Sequence, residues 1–305
     1  MHISSNDTSP FRQLEYPPKY PVVQQGDFSN EVFVNQEFKF IFFPIAKTAC
    51  TEWVRFFMRL NNSPLWCSNG YEHGIHSIKH ENIKFMSDYT LEEQTHMMTS
   101  KDWTRAIFVR EPKKRVLSAF LDKSHNADWF RNFCPAYVSA GGDEKECIER
   151  RHDFDFFVKK MTVTLHDNAH WLPCYDYIDK KWWKYMTFIS TMKNLSQDAE
   201  ILLKSVKSSV DGVSAWDRIG KHGWGADFKK HGCEDSGDSR AFLEAKPTNH
   251  QTGASKTKAE KKFYTPELEK IVENRYAKDL HNPYFHFEEF KIFDNDDDSD
   301  VENIQ

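Results

Sequence analysis

The sequence predicts an α/β fold in which a doubly wound, mainly parallel sheet is flanked by helices. Residues 38–43 form an almost unbroken apolar run, which is followed after a short loop by a helical pattern. A second apolar run at Thr104–Val109 is also followed by a helical pattern, and strands that alternate with helices favour a parallel sheet. The 305 residues, 39% hydrophobic and 15% aromatic, are enough to bury the core of one large domain.

The first strand, loop and helix occupy residues 38–60, FKFIFFPIAKTACTEWVRFFMRL. Successive apolar side chains are typical of a strand that is buried on both faces, and Pro44 ends this strand. Thr48 or Thr51 can cap the helix that follows. The buried stripe of that helix is expected to consist of Trp53, Val54, Phe56, Phe57 and Leu60.

The remaining elements are predicted from the same periodicities and from cap residues at their starts. In chain order they are a helix over 91–103, a strand at Thr104–Val109, a helix that begins near Pro112, a strand at 185–189, a helix over 197–206 after the cap Ser196, and a last helix after the cap Thr265. In such a sheet, ligands bind at the carboxyl ends of the strands.

The chain divides into three regions. Residues 1–35 are polar and contain several prolines, and we expect an N-terminal arm. Residues 36–293 are expected to form the α/β domain, with a long loop at about 212–262 that is rich in Gly, Ser, Lys and Asp. Residues 294–305 carry a run of acids, which predicts a disordered tail.

The loop between the first strand and helix is a candidate anion site. A helix N-terminus attracts anions, and the loop adds the cation Lys47 and the hydroxyls of Thr48 and Thr51. The unit is therefore P-loop-like, but it lacks the two glycines and the late lysine of a Walker loop. The alternative is a buried strand that leads into an amphipathic helix with an incidental lysine, which is common in α/β folds.

The loop AKTACTEW resembles the 5′-phosphosulfate loop of the sulfotransferases, in particular of the carbohydrate sulfotransferase group. The matching residues are Lys47, Ala49, Cys50, Thr51 and Trp53, while Ala46 stands where that family has a proline. A second motif of the family, an arginine that ends a strand and a serine eight residues later, is present as Arg110 and Ser118 in FVREPKKRVLSAFLDK. Here Glu111 replaces the usual aspartate.

The resemblance implies transfer of a sulfuryl group from 3′-phosphoadenosine 5′-phosphosulfate (PAPS) to a hydroxyl or amine of a carbohydrate or small-molecule acceptor, by in-line displacement without a metal. Lys47 would neutralise charge on the leaving oxygen. The resemblance assigns the 5′-phosphosulfate to Lys47, Thr48, Ala49, Cys50, Thr51 and Glu52. It assigns the 3′-phosphate to Arg110 and Ser118.

The catalytic base is expected among the histidines between the two motifs. His76 is the first candidate and His73 the second, because YEHGIHS resembles the position of the catalytic histidine in a related uronyl 2-O-sulfotransferase group. Glu52 follows them, and His80 and His96 are further histidines of this stretch. His170 and Trp171 resemble a His-Trp-x-Pro element of the family and are candidate acceptor-binding residues.

Composition argues against several other classes of protein. The net charge of −5 argues against a nucleic-acid partner, and six scattered cysteines without a C-x-x-C pair argue against a zinc site. No apolar run is long enough to span a membrane, and a signal peptide is lacking, so the chain as written predicts a cytoplasmic protein. Because family members are anchored in the Golgi, the Golgi lumen is the alternative if an anchor is missing.

Two other functions stay open at the level of the sequence. An ATP-dependent phosphotransferase of the nucleoside-kinase type would share the strand, the loop, the helix and the cations, although the Walker glycines are absent. A non-catalytic nucleotide-binding protein on the same fold would bind the donor without sulfating an acceptor.

Overall fold

The computed structural model describes most of the chain, in two compact units. The described residues are 9–14, 21–28, 31–67, 76, 79, 82–124, 127–222, 257–288 and 290–293. The first unit comprises the described parts of residues 1–110, 174–249 and 283–286. The second comprises those of residues 111–173, 250–282 and 287–305. The predicted acidic tail and most of the predicted long loop lie outside the described residues.

The first unit contains a five-stranded sheet in the order β3-β1-β2-β4-β5. Its strands are β1 Phe33–Asn35, β2 Phe40–Phe43, β3 Lys84–Phe85, β4 Thr104–Val109 and β5 Phe188–Thr191. The three strands β2, β4 and β5 are parallel, whereas β1 is antiparallel to both β2 and β3. The α/β prediction is confirmed, with parallel strands in the core of a mixed sheet and helices around it.

The register places the ends of three strands at one edge of the sheet. Phe33, at the start of β1, is opposite Phe42 near the end of β2 and opposite Phe85 at the end of β3. The carboxyl ends of β2 and β3 therefore lie on the same side as the end of β4, whose Ile107 is opposite Phe43. This is the edge at which a sheet of this kind binds ligands.

The two short strands β1 and β3 are absent from the sequence prediction. Strands of three and two residues are too short to show a periodicity, and β1 falls within the stretch assigned to the N-terminal arm. The strand predicted over 38–43 begins at Phe40, because Lys39 has a φ of 45° and belongs to the preceding turn. The third parallel strand lies at Phe188–Thr191 rather than at 185–189, because residues Trp183–Tyr185 form a 3₁₀ turn.

Helices pack against the sheet of the first unit through aromatic side chains. The α-helices of this unit whose bounds the structure describes are α1 Cys50–Leu60, Leu91–Thr99, Leu195–Ser205 and Ala215–Arg218. Its 3₁₀ turns are Pro64–Cys67, Met86–Asp88, Cys174–Tyr177, Trp183–Tyr185, Met192–Asn194 and Gly220–His222. Trp53 of α1 stacks on Phe42 of β2 at 4.1 Å between ring centroids, so the predicted apolar stripe of α1 faces the sheet.

The second unit is helical. Its α-helices are Pro112–Lys123, Ala127–Arg131, Cys134–Ser139, Glu144–Glu149, Phe154–Phe156, Thr162–Thr164, Thr257–Phe263, Pro266–Arg275 and Ala277–Leu280, and Phe157–Met161 is a π-helical turn. Phe120, Phe157 and Tyr264 belong to its apolar core. A disulfide joins Cys134 to Cys147. Thr265 caps the last long helix as predicted, since its side chain accepts from the N–H of Leu268.

The helices are short, and none in the described part of the chain has the length and hydropathy that a membrane crossing requires.

Candidate functional site

The loop after β2 folds back on itself through Thr48. Both the backbone N–H and the hydroxyl of Thr48 donate to the carbonyl of Ile45, at 3.2 and 2.7 Å. The Thr48 side chain is 1% exposed, so its hydroxyl already has a partner inside the loop. The structure thus shows Thr48 as the residue that closes the loop, while contact between Thr48 and a phosphate stays a prediction.

Two residues of this loop have a left-handed backbone although neither is a glycine. Lys47 has a φ of 70° and Ala49 a φ of 61°. A side chain in this region costs roughly 1–2 kcal/mol, and such residues cluster at functional sites, where the surrounding structure holds them in place. A left-handed residue next to a helical one also turns successive N–H groups towards one point, which forms a concavity for an anion.

The N-terminus of α1 opens onto this loop. Ala49 is the N-cap residue, and as an alanine it has no side-chain oxygen to accept from the first turn. Its carbonyl accepts from the N–H groups of Glu52 and Trp53 at 3.0 and 3.2 Å. The N–H groups of Cys50 and Thr51 meet no backbone acceptor within the described ranges, so the positive end of the helix dipole is open to an external anion.

A second cation lies against the loop. Arg110 follows the last residue of β4, and its Nη1 donates to the carbonyl of Lys47 at 3.1 Å. The contact joins the two motifs, which are 63 residues apart in the chain, at the carboxyl edge of the sheet. Positive charge at this edge therefore comes from Lys47, Arg110 and the N-terminus of α1.

One of the predicted bases contacts the same loop. The Nε2 of His76 lies 3.0 Å from the hydroxyl of Thr51, and the imidazole is exposed. The direction of this hydrogen bond depends on the tautomer of the ring. The second candidate, His73, and also His80 lie outside the described residues. His96 is exposed on the helix Leu91–Thr99 and lines a cavity with Lys39 and Trp103, residues that precede β2 and β4.

Glu52 is buried in the first turn of α1. It is 8% exposed, and its Oε2 has no hydrogen-bond partner among the described residues. Burial raises the pKa of the Glu52 carboxyl to about 7, and the guanidinium of Arg55 opposes this rise. A carboxyl with such a pKa changes its charge near neutral pH, two residues from the open N–H of Cys50.

The residues of the second motif that follow Arg110 belong to the second unit. Ser118 is 5% exposed on the helix Pro112–Lys123. This helix is capped by Glu111, whose carboxylate accepts from the N–H groups of Lys113 and Lys114 at 3.1 and 2.9 Å. Burial raises the pKa of Glu111 to about 7, although both N–H groups stabilise the charged form. The Glu-Pro pair at 111–112 is the sequence signal of this cap.

The predicted acceptor residues also lie in the second unit. Trp171 is 1% exposed, packs against Phe157 and donates its indole N–H to the carbonyl of Leu165 at 2.7 Å. The Nδ1 of His170 lies 2.9 Å from the side-chain oxygen of Asn168. Trp171 thus has a place in the core of this unit, and its contact with an acceptor stays a prediction, as does that of His170.

Arg115 is a buried residue of the second motif to which the sequence assigned no role. It is 1% exposed and donates to the carbonyls of Ala169 and Leu172, on either side of His170 and Trp171. Its guanidinium therefore fixes the backbone of the predicted acceptor element. No group of three or more His, Cys, Asp or Glu side chains in the described part of the chain is arranged to hold a metal ion.

Comparisons of the chain with a family model and with known proteins all identify sulfotransferases. A family model described as "Sulfotransferase family" matches residues 30–287. The chain is similar to carbohydrate sulfotransferase 14 of Danio rerio, with 24% identity over 60% of this chain and 50% of that protein. It is also similar to carbohydrate sulfotransferase 9 of Homo sapiens, with 30% identity over 31% of this chain and 20% of that protein.

A third relative is carbohydrate sulfotransferase 11 of Rattus norvegicus, with 28% identity over 34% of this chain and 29% of that protein. The matches thus span half or less of the length of each of these relatives. No solved structure shows a significant match to the chain.

Proposed function

Since this chain belongs to the sulfotransferase family, we propose that it transfers a sulfuryl group from PAPS to a hydroxyl group of a carbohydrate acceptor. The names of the three relatives support a carbohydrate as acceptor. The observation that carries the proposal is the glycine-free loop with its two left-handed residues, which leads into the uncapped N-terminus of α1 beside Lys47 and Arg110.

The residues at this edge fit a donor with several negative charges. The N–H groups of Cys50 and Thr51 and the concavity at Ala49 suit the oxygens of a 5′-phosphosulfate. Arg110 suits the 3′-phosphate, because a guanidinium donates two parallel hydrogen bonds to such a group. Ser118 keeps its 3′-phosphate role from the motif alone.

The donor supplies a sulfuryl group bonded to a phosphate that is already a good leaving group, so the protein needs to position groups and stabilise charge. Lys47 would neutralise the charge that develops on the leaving phosphate oxygen. His76 would take the proton of the acceptor hydroxyl as the new sulfur–oxygen bond forms. The hydrogen bond to Thr51 would hold the His76 ring next to the loop.

The disulfide between Cys134 and Cys147 supports a location for this activity. Disulfides persist in oxidising compartments and are rare in the cytosol. We therefore favour the Golgi lumen over the cytoplasm as the site of action. Mass spectrometry after alkylation without reduction, on protein from a eukaryotic secretory expression host, would detect the pair. Two alkylated thiols at Cys134 and Cys147 would contradict this location.

A transfer assay tests the function directly. Purified protein is incubated with ³⁵S-labelled PAPS and a panel of glycans, small alcohols and tyrosine peptides, and the labelled products are identified. We expect label in a glycan, and His76→Ala should lower turnover by roughly 10²–10⁴, the usual contribution of a general base. The matched control is His96→Ala, which changes an exposed histidine on the helix Leu91–Thr99.

The pH profile adds a second reading of the same assay. If His76 acts as a neutral base, activity falls as the pH drops through about 6.5, the ordinary pKa of histidine. Full activity of His76→Ala would assign the base to another residue, with His73 and Glu52 next in order. Donor binding without transfer to any acceptor would favour the non-catalytic alternative.

A further inference from the structure

A cavity of about 280 Å³ lies in the first unit, at the same edge of the sheet as the loop between β2 and α1. One of its walls is Phe28, whose ring packs against Phe43 with centroids 5.7 Å apart. Phe43 is the last residue of β2 and directly precedes Pro44, where the loop begins. Another wall is Met86, which follows the end of β3 and donates its N–H to the carbonyl of Val32.

The polar lining of this cavity is rich in amides and carries no charge. It consists of Gln24, Gln25, Ser87 and Gln94, and the Nε2 of Gln94 already donates to the carbonyl of Tyr89. Each carboxamide offers donors and an acceptor together, and a hydroxyl offers both in one group. Such groups pair with ligands that also donate and accept at neighbouring positions, as the hydroxyl groups of a sugar ring do. A charged ligand would find no counterion in this lining.

The remaining lining is apolar and comes from Phe28, Met86 and Leu91. Leu91 is 46% exposed, so part of its side chain is accessible to a ligand. An aromatic ring and two flexible apolar side chains suit the C–H face of a pyranose, which is apolar between its hydroxyls. The volume of about 280 Å³ lies just below the roughly 300–1,000 Å³ range of small-molecule sites, so it suits one ring rather than a longer chain.

The wall that carries Gln24 and Gln25 is held in place by a buried carboxylate. Asp27 accepts from the N–H of Gln24 at 2.8 Å, from Nζ of Lys181 at 2.7 Å and from the indole of Trp182 at 2.9 Å. Burial tends to raise the pKa of Asp27, but these hydrogen bonds outweigh it and lower the pKa. Gly26, with a φ of 91°, permits the tight turn between the glutamines and Asp27. A pre-formed wall reduces the entropy lost when a ligand binds.

We propose that this cavity, which we call the glutamine cavity, is an acceptor subsite for one uncharged sugar ring of the glycan. The inference rests on the proposed sulfotransferase function, because it names the part of the molecule that holds the acceptor. A larger cavity of about 490 Å³ is the less suitable candidate. It is lined by Lys39, Glu93 and His96 among others, and it lies where β2 and β4 begin, on the opposite edge of the sheet.

Methyl NMR provides a readout that does not depend on activity. The chain has eight methionines, and Met86 lines the glutamine cavity. Protein labelled with ¹³C at the methionine methyl groups is titrated with lactose, an uncharged disaccharide, and separately with glucuronate, a charged monosaccharide. The Met86 resonance is assigned from the spectrum of Met86→Leu. We expect lactose to shift this resonance with roughly millimolar affinity and glucuronate to leave it unchanged.

Two variants connect the shift to the glutamines. The double change Gln24→Ala with Gln25→Ala removes two exposed amides and should weaken lactose binding at least fivefold, whereas the exposed Gln36→Ala outside the cavity should not. Binding of 3′-phosphoadenosine 5′-phosphate (PAP), measured by calorimetry, should be the same in all three proteins, which also shows that the variants are folded.

The outcomes separate the subsite from the proposed function. An unchanged Met86 resonance with lactose, while PAP still binds, would overturn the subsite alone. A Met86 shift caused by PAP, together with weaker PAP binding by the double variant, would assign the cavity to the nucleotide and overturn the inference. Failure of the wild-type protein to bind PAP would instead remove the proposed function on which the inference rests.

Discussion

The two helices that follow β2 and β4 differ in whether a side chain caps their N-termini. Helix α1 begins after Ala49, which has no side-chain oxygen, and the N–H groups of Cys50 and Thr51 meet no backbone acceptor in the part of the chain that the structure describes. The helix Pro112–Lys123 begins after Glu111, whose carboxylate accepts from two N–H groups of the first turn. In the second case the chain itself supplies the anion that the helix dipole favours.

This difference shows that a strand, a loop and a helix do not by themselves make an anion site. The two segments have the same order of elements, because β2 leads into α1 and β4 leads into the helix Pro112–Lys123, so each helix N-terminus follows a buried parallel strand. The residue at the N-cap decides whether the N–H groups are satisfied internally or remain available. The comparison therefore favours the N-terminus of α1, rather than that of the helix Pro112–Lys123, as the proposed phosphosulfate site.

The largest expected effect concerns Arg110, since it brings the second motif to the loop between β2 and α1, residues 44–49, which we call the α1 loop. Hydrogen bonds to a charged group contribute about 1.5–3 kcal/mol each, so two such contacts to a 3′-phosphate imply a preference of roughly 10²–10⁴ for PAP over AMP. Arg110→Ala should lose most of this preference, and it can be measured by calorimetry without magnesium. Arg131→Ala, a change of an exposed arginine, is the control.

Equal affinity of the wild-type protein for PAP and AMP would contradict the prediction that Arg110 binds the 3′-phosphate. Tight binding of ATP only in the presence of magnesium would favour a phosphotransferase. Either result would also remove the functional meaning of the contrast between the two helix N-termini.

The next effect concerns Lys47, which is the cation within the α1 loop. Lys47→Ala should lower turnover by roughly 10² or more, the loss seen when one stabiliser of transition-state charge is removed, and should weaken PAP binding less. The matched control is Lys39→Ala, because Lys39 also has a left-handed backbone but lies at the other end of β2, in an exposed ion pair with Asp102. Turnover of Lys47→Ala close to that of the wild type would exclude Lys47 from the mechanism.

A third experiment makes the N-terminus of α1 resemble that of its counterpart. Ala49→Asp places a carboxylate at the N-cap, and aspartate tolerates the left-handed φ of 61° better than most residues. The internal anion should compete with the 5′-phosphate and weaken PAP binding by roughly 2- to 30-fold, which corresponds to about 0.5–2 kcal/mol. Ala49→Asn has a similar shape without the charge and should bind PAP almost normally. Equal weakening by both changes would mean that shape, rather than charge, matters at this position.

The smallest effect contrasts the carboxyl group of Glu52, in the first turn of α1, with that of Glu111, the N-cap of the helix Pro112–Lys123. Among the described residues, one oxygen of Glu52 has no hydrogen-bond partner, whereas both oxygens of Glu111 accept backbone hydrogen bonds. Glu111→Ala should therefore lower the free energy of unfolding by about 0.5–2 kcal/mol, the usual effect of losing a cap. Glu52→Gln should instead stabilise the protein at pH 8, because the ionised carboxylate is no longer buried.

The sign of the pH dependence follows from the raised pKa of Glu52. Its folded-state pKa of about 7 lies above the ordinary value of 4.5, so the folded protein binds more protons between these two values. The contribution of this group to stability is present below pH 4.5 and is lost as the pH rises through 7. Urea unfolding at several pH values should show that the free energy of unfolding declines less steeply with rising pH for Glu52→Gln than for the wild type. An unchanged slope would show that Glu52 does not titrate in this range.

The sequence by itself determined the local architecture. The apolar runs at residues 38–43 and Thr104–Val109 predicted the two central parallel strands, because a strand buried on both faces needs continuous apolar side chains. The stripe of α1 was predicted for the same reason, and Trp53 of that stripe packs on β2. The residues of the α1 loop were also recognisable, since their motif is contiguous in the chain.

Only the tertiary structure decided how these residues are used. The contact of Arg110 with the carbonyl of Lys47 and that of His76 with Thr51 join residues 63 and 25 positions apart, and no local periodicity encodes such pairs. The left-handed backbone at Ala49 is held by the surrounding fold against a steric cost that favours glycine. Sequence and cap chemistry can therefore indicate an anion site at α1, but long-range packing determines which cations, hydroxyls and imidazole surround it.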